Sequence, residues 1–263
     1  MRLLLPAAGF AAGLAATLAM PTPDAAAQDK APARLYEMRV YYAPPGKLDA
    51  LHARFRDHTV RLFAKHGMTN VGYFVPEGEN KENKLVYFMS YPDKAARDAS
   101  FKAFGADPEW KAAAAASEKD GKIVSRIESV FLAATDYSPV PAVEKKGGRV
   151  FELRTYTTTK GNLPGLDARF RDHTMKLFAK HGMTNVVYWH RAPGQPDADR
   201  NLTYLLAHPS KAAGLKAFDA FRADPDWLAA RKASEDKAGG SLTEAKGGVV
   251  SEYLVPTDYS PLK

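Results

Sequence analysis

The chain repeats itself, and that constrains its fold more than any other feature. Residues 53–71 read ARFRDHTVRLFAKHGMTNV and residues 168–186 read ARFRDHTMKLFAKHGMTNV, identical at 17 of 19 positions at an offset of 115. Upstream, Tyr36-Glu37-Met38-Arg39-Val40-Tyr41 pairs with Phe151-Glu152-Leu153-Arg154-Thr155-Tyr156 at the same offset. Downstream, Ala106-Asp107-Pro108-Glu109-Trp110 pairs with Ala223-Asp224-Pro225-Asp226-Trp227, and Thr135–Pro139 recurs as Thr257–Pro261. A repeat this long marks two homologous domains. The boundaries read as residues 34–138 and 149–261, joined by a Pro-, Lys- and Gly-rich linker over 139–148.

Each copy carries the same element signals. Residues 35–42 alternate and are rich in Tyr and Val, as a strand requires. A helix is expected from about 47 to 66, closed by Gly67. Strands follow over 69–75 and 84–91, then a broken helical region over 93–120, then a last strand over 122–132. Asp107-Pro108 is an N-cap followed by proline at the first helical position. The order βαββαβ predicts an α+β fold of two tandem ferredoxin-like domains. Each four-stranded sheet leaves one face to be covered. Two units in one chain can cover each other as a pseudo-dimer, an eight-stranded α/β barrel. A homodimer of two chains with exchanged partners is the alternative.

Met1-Arg2, an uncharged run over residues 3–20 and Ala25-Ala26-Ala27 read as an export signal over 1–27, cleaved before Gln28. The mature chain is then expected to be periplasmic or secreted, with no membrane span left after cleavage. The absence of cysteine excludes thiolate nucleophiles, disulfides and cysteine-based metal sites. The formal charge of +7 is spread among interleaved acids and bases, which argues against nucleic acid as a partner.

At 100° per residue from Leu51, His58 falls in the apolar stripe of the first helix with Phe55 and Leu62, and His173 repeats the placement. Arg56 and Arg171 lie further round, at roughly 140°. His58 and His173 are the candidate acid/base residues if the protein is an enzyme; a hydrogen-bonded core histidine is the plainer reading. His66, just before Gly67, reads as structural, and the Trp of each Ala-Asp-Pro-x-Trp motif as a core anchor.

On the first strand, Glu37, Arg39 and Tyr41 share one face. With Tyr36, Met38 and Val40 assigned to the helices, the charged set and its counterparts Glu152, Arg154 and Tyr156 are expected to face the barrel interior. Tyr73 and Tyr188 are expected to line the same space. Such a mouth suits a small anionic or aromatic ligand; a salt-bridge network sealing the interface is the competing account. No serine-hydrolase, zincin, phosphate-loop or EF-hand motif is present. His58 and His66 stand about 12 Å apart along the helix, too far to share one ion, so no metal is expected. No haem-attachment motif is present and no cofactor is expected.

Tyr-Glu-x-Arg-x-Tyr on the first strand, Gly-Lys-Leu and Phe-Arg-x-His-Thr on the helix, then Lys-His-Gly-Met and a Val-Gly-Tyr strand together resemble the NIPSNAP family. The second copy departs with Phe151 for the opening Tyr and Val187 for the strand glycine. The resemblance covers nearly all of the mature chain and implies the dimeric α/β-barrel fold. That superfamily includes cofactor-free monooxygenases, haem proteins and stress-response proteins, so fold does not fix function. The family has no established reaction. Its better-known members are mitochondrial and linked to trafficking and mitophagy, a setting an exported chain does not share. Two functions are therefore carried forward. The favoured one is a non-enzymatic protein that binds a small molecule or a protein partner. The other is a cofactor-independent oxygenase or isomerase using histidine as acid/base and arginine for anion binding.

Overall fold

The computed structural model describes residues 34–141 and 147–263. The expected export signal lies outside the described residues, as does the centre of the linker.

The first copy runs β1 (Leu35–Tyr42), α1 (Leu48–Arg54), a π turn (Phe55–Thr59), α2 (Val60–Lys65), β2 (Thr69–Pro76), β3 (Lys84–Tyr91), α3 (Lys94–Ala106), α4 (Pro108–Ser117) and β4 (Arg126–Ala134). The second runs β5 (Val150–Thr157), α5 (Leu163–Arg169), a π turn (Phe170–Thr174), α6 (Met175–Lys180), β6 (Thr184–Arg191), β7 (Asn201–His208), α7 (Lys211–Ala223), α8 (Pro225–Ala238) and β8 (Val249–Pro256). Local chemistry sets the breaks. Gly67 and Gly182 end their helices at φ +78° and +77°, where a side chain would be strained. Asp107 and Asp224 cap α4 and α8, each accepting a backbone N–H two residues on, at 2.8 and 2.9 Å. The last strand of the first copy begins at Arg126, four residues later than the alternation predicts.

Eight strands close into one antiparallel barrel in the order β1-β3-β2-β8-β5-β7-β6-β4. Two short seams join the copies. Phe74–Pro76 of β2 pairs with Leu254–Pro256 of β8, and Leu132–Ala134 of β4 pairs with Trp189–Arg191 of β6. The chain thus closes its barrel without a second copy.

The barrel interior is filled. Tyr36, Met38, Val40, Phe74, Phe88, Phe151, Leu153, Trp189, Leu205 and Leu254 pack there together with Leu262 from the C-terminus. This reverses the expected faces of β1 and β5. Glu37, Arg39 and Tyr41, like Glu152, Arg154 and Tyr156, point outward under the helices. Both faces of these strands are buried, so alternation alone does not say which is inner. The closed interior holds uncharged, mostly apolar side chains, whereas the helical layer supplies donors for the carboxylates.

Each copy's last segment crosses to the other. Tyr259 bonds His52 (2.8 Å), Asp258 accepts from Nε and Nη2 of Arg56, and Ser260 Oγ accepts the Tyr73 N–H (2.9 Å). Reciprocally, Tyr137 bonds Asp167 (2.7 Å), Asp136 takes Arg171, and Ser138 accepts the Tyr188 N–H (2.9 Å).

Candidate functional site

The polar face of β1 builds a fully paired cluster. Glu37, wholly buried, accepts from Arg39 (2.5 Å), from Arg97 of α3 (2.8 and 2.9 Å), from Tyr91 (3.1 Å) and from Ser129 (2.6 Å). Burial alone would raise its carboxyl pKa, but the Arg97 bonds and then Arg39 and Ser129 outweigh it, holding the pKa below the ordinary carboxylate range. Arg39 also donates from Nε to the Tyr87 hydroxyl at 2.9 Å.

The second copy keeps the scaffold and changes the partners. Glu152 accepts from Arg154 (2.6 Å) and Ser251 and lies 3.0 Å from His208 Nε2. His208 replaces Tyr91, and Gly214 replaces Arg97. Burial again opposes ionisation, while His208, Arg154 and Ser251 keep the Glu152 pKa low. Here the Arg154 Nε has no acceptor, and neither has the neighbouring Tyr204 hydroxyl.

A cavity of about 250 Å³ opens beside Arg154, between β5 and the helices α5, α7 and α8. Arg154, Arg169, Arg222 and Arg231 border it, with Tyr156, Phe218, Phe221 and Trp227 as aromatic wall. The Arg154 guanidinium lies 4.3 Å from the Phe218 ring centre and that of Arg169 lies 5.1 Å from Trp227. The Arg169 side chain is 6% exposed, its Nε lacks an acceptor, and Glu235 approaches it only to 3.8 Å. Burial pushes the Arg169 pKa below its ordinary value, although arginine stays charged.

The π turn explains why the sequence hides Arg169 and its counterpart Arg54. Thr174 Oγ1 donates to the Arg169 carbonyl at 3.1 Å, and Thr59 does the same to Arg54. The wider turn shifts the phase of the residues that follow its start, so Thr174 turns inward while His173 is exposed and His58 is half-buried; Arg169 precedes the turn and is buried one α-helical turn after Leu166. The expected apolar-stripe position of these histidines is therefore corrected. Neither ring hydrogen-bonds another described residue. His173 instead borders an outer groove of about 460 Å³ that Arg169 also lines. The Arg-Phe-Arg-Asp-His-Thr run, repeated without change, was the available signal for a shared local geometry.

The other expectations divide. Glu152, Arg154 and Tyr156 gather at the cavity or directly behind it. Glu37, Arg39 and Tyr41 gather in the paired cluster of the first copy. Tyr73 and Tyr188 lie in the helix-side cores, their hydroxyls bonded to Asn70 and Asn185. His66 Nε2 meets Asp107 at 2.7 Å, joining the end of α2 to the N-cap of α4. Trp110 and Trp227 do more than anchor a core, since they lie over Arg54 and Arg169. Among the described residues no cluster of three His, Asp or Glu suits a metal ion, and no helix is long and apolar enough to cross a membrane.

The NIPSNAP family model matches residues 36–139 and 151–261, one match for each copy. The chain belongs to the NIPSNAP family. It is similar to mouse (Mus musculus) protein NipSnap homolog 3B, 25% identical over 229 residues, spanning 87% of this chain and 85% of that protein. Among solved structures, it resembles a candidate monooxygenase from Fusobacterium nucleatum at TM-score 0.55 and 10% identity, covering 88% of this chain and 93% of the other. A candidate monooxygenase from Lactobacillus acidophilus gives TM-score 0.53 at 10% identity, covering 85% and 94%. At such identity the likeness is one of fold. The two NIPSNAP repeats together form an α+β barrel of the dimeric α/β-barrel type.

Proposed function

We propose that this NIPSNAP chain is an exported binding protein whose ligand, a small anion, occupies the Arg154–Arg169 cavity of the second repeat. Each repeat is read as a ferredoxin-like unit, and residues 1–27 as the export signal that delivers the chain to the periplasm or medium. The observation that carries the ligand site is that Arg154 and Arg169, two arginines whose buried Nε groups lack an acceptor, border one cavity. A buried donor left unpaired is costly, and an anion is the partner that relieves two of them at once. The filled barrel interior turns attention from the barrel mouth to this lateral cavity.

A native mass spectrum and an absorption spectrum of the mature protein from the exported fraction test this reading. A retained anionic adduct, lost in Arg154→Met, supports it. A bare mass from a sample that never contacted competing anions counts against it. The same spectrum reports whether the chain is a monomer or a homodimer.

One observation favours a second reading, a cofactor-independent oxygenase or isomerase. His173 and Arg169 border the same outer groove, so an acid/base group and an anion-binding group share one space. Under that reading His173→Ala abolishes turnover while the melting temperature holds.

A further inference from the structure

We infer that the cavity takes one small planar monocarboxylate per chain, with Arg222 and Arg231 setting that preference; this rests on the reading of the cavity as a ligand site. The stoichiometry follows from the differences between the repeats. At the 117-residue offset, Arg222 and Arg231 correspond to Gly105 and Ala114, so the first repeat lacks two of the four cations. There Arg39 gives its Nε to Tyr87, and Arg54 bonds Glu118 at 3.0 Å. The first repeat is left with one unpartnered guanidinium Nε, on Arg54, where the second has two.

The ligand class follows from charge and shape. The four arginines face three carboxylates: Glu152 holds Arg154, Glu235 is shared by Arg169 and Arg231, and Asp219 holds Arg222. One positive charge is unmatched, which a monoanion neutralises and a phosphate dianion overshoots. Arg169 spends Nη1 on Ser234 at 3.3 Å and leaves its buried Nε without an acceptor. An arginine edge offers two parallel donors that match the two oxygens of a carboxylate. Four of the remaining wall residues are aromatic, with Glu235, Ser241, Thr243 and Val249 completing the lining, and the volume of about 250 Å³ falls below the range of about 300–1,000 Å³ typical of drug-sized ligands. A flat, compact, apolar body behind a single carboxylate fits both constraints.

The test is titration calorimetry of the full mature chain with benzoate as probe, and with benzyl alcohol and inorganic phosphate as comparators. Benzoate is expected to bind at one equivalent, and the comparators weakly or not at all. Arg169→Met is expected to weaken benzoate by at least about thirtyfold, the scale for truncating one partner of a buried charge contact. Because Arg169 is buried, Arg222→Ala and Arg231→Ala serve as independent variants; both remove a cation that the first repeat lacks, keep a good helix former, and are expected to weaken benzoate without lowering the melting temperature. Two equivalents of benzoate, or benzyl alcohol binding as well as benzoate, overturns the inference. Phosphate binding more tightly than benzoate in an Arg169-dependent manner also overturns it, yet leaves the cavity as a ligand site. No Arg169-dependent binding by any probe, with an adduct-free native mass, removes both.

Discussion

Gly214 stands where the first repeat has Arg97, and a Cβ there would lie 2.9 Å from the Tyr253 hydroxyl and 3.0 Å from the His208 ring. The space an arginine fills in one copy is filled by Tyr253 and His208 in the other. Gly214→Ala should therefore destabilise the chain by about 1–3 kcal/mol, the scale of overpacking, despite alanine's helix advantage of about 1 kcal/mol. Equilibrium urea unfolding checks this. A variant as stable as the parent shows that the two rings yield.

Glu37 is the counter-charge for two guanidiniums in a dry layer. Glu37→Gln should cost about 3–5 kcal/mol, because Arg39 and Arg97 are then left facing each other without their anion. Arg97→Gly should cost less, since Arg39 still pairs with Glu37 and its neighbours remain bonded. Denaturant titrations of both variants give the order, and the reverse order refutes this account of the cluster.

Stability should also fall in acid. The folded pKa values of Glu37 and Glu152 lie below the ordinary glutamate value of about 4.3, so the unfolded chain binds more protons in that interval. Their contribution is complete above about pH 5 and is lost as pH falls through the folded values. The urea midpoint should hold from neutrality to pH 5 and then decline. The Glu37→Gln and Glu152→Gln double variant should decline less steeply than the parent. A parent midpoint unchanged between pH 5 and pH 3 contradicts the assignment.

Asp224 caps α8 and also receives Lys180 (2.8 Å) and His181 (2.6 Å). Hydrogen bonds from Lys180 and then His181 hold its carboxyl well below the usual range. Asn retains capping ability while removing the charge. The melting temperatures should therefore rank parent, then Asp224→Asn, then Asp224→Ala. Equal losses in the two variants would show that the cap contributes nothing.

Leu262, one residue from the C-terminus, is 2% exposed and packs inside the barrel. Chain ends normally tolerate truncation, but Leu262→Ala should cost about 2–5 kcal/mol, as for a core leucine. Hydrogen exchange should localise the loss to the strands around Phe74 and Phe151. A neutral effect means the terminus does not plug the barrel.

The repeat, the element order and an eight-stranded barrel were legible because period-2 alternation, Gly67 and Asp107-Pro108 leave few alternatives, while closure within one chain rather than between two came only from the β2–β8 and β4–β6 seams. The faces of β1 were not. Tyr36 and Glu37 are both buried, and only the neighbouring β3, α3 and β4 decide which looks inward. Arg54 and Arg169 were hidden for another reason. A uniform 100° step places His58 and His173 on the stripe, which the π turn moves them off, and leaves Arg54 and Arg169 at its edge, where their charge argues for solvent. Arg222 and Arg231 are exposed helix charges in the sequence pattern and in the structure alike, and only the packing of α7 and α8 beside β5 brings them to the cavity rim. The first repeat's Gly105 and Ala114 were the one sequence hint that these positions differ between copies.

The crossed Thr-Asp-Tyr-Ser-Pro segments divide the molecule by its latitude for change. Because Tyr259 is held by His52 and Tyr137 by Asp167, each repeat's end is a structural part of the other. Neither copy can be discarded, since its loss strips the survivor of a docking site and exposes two barrel edges. The helical layers carry no such obligation. One can seal its buried carboxylate with an extra arginine while the other opens a cavity, and the barrel beneath is indifferent to the difference. Duplication in this fold therefore keeps one copy as scaffold while the other is free to specialise.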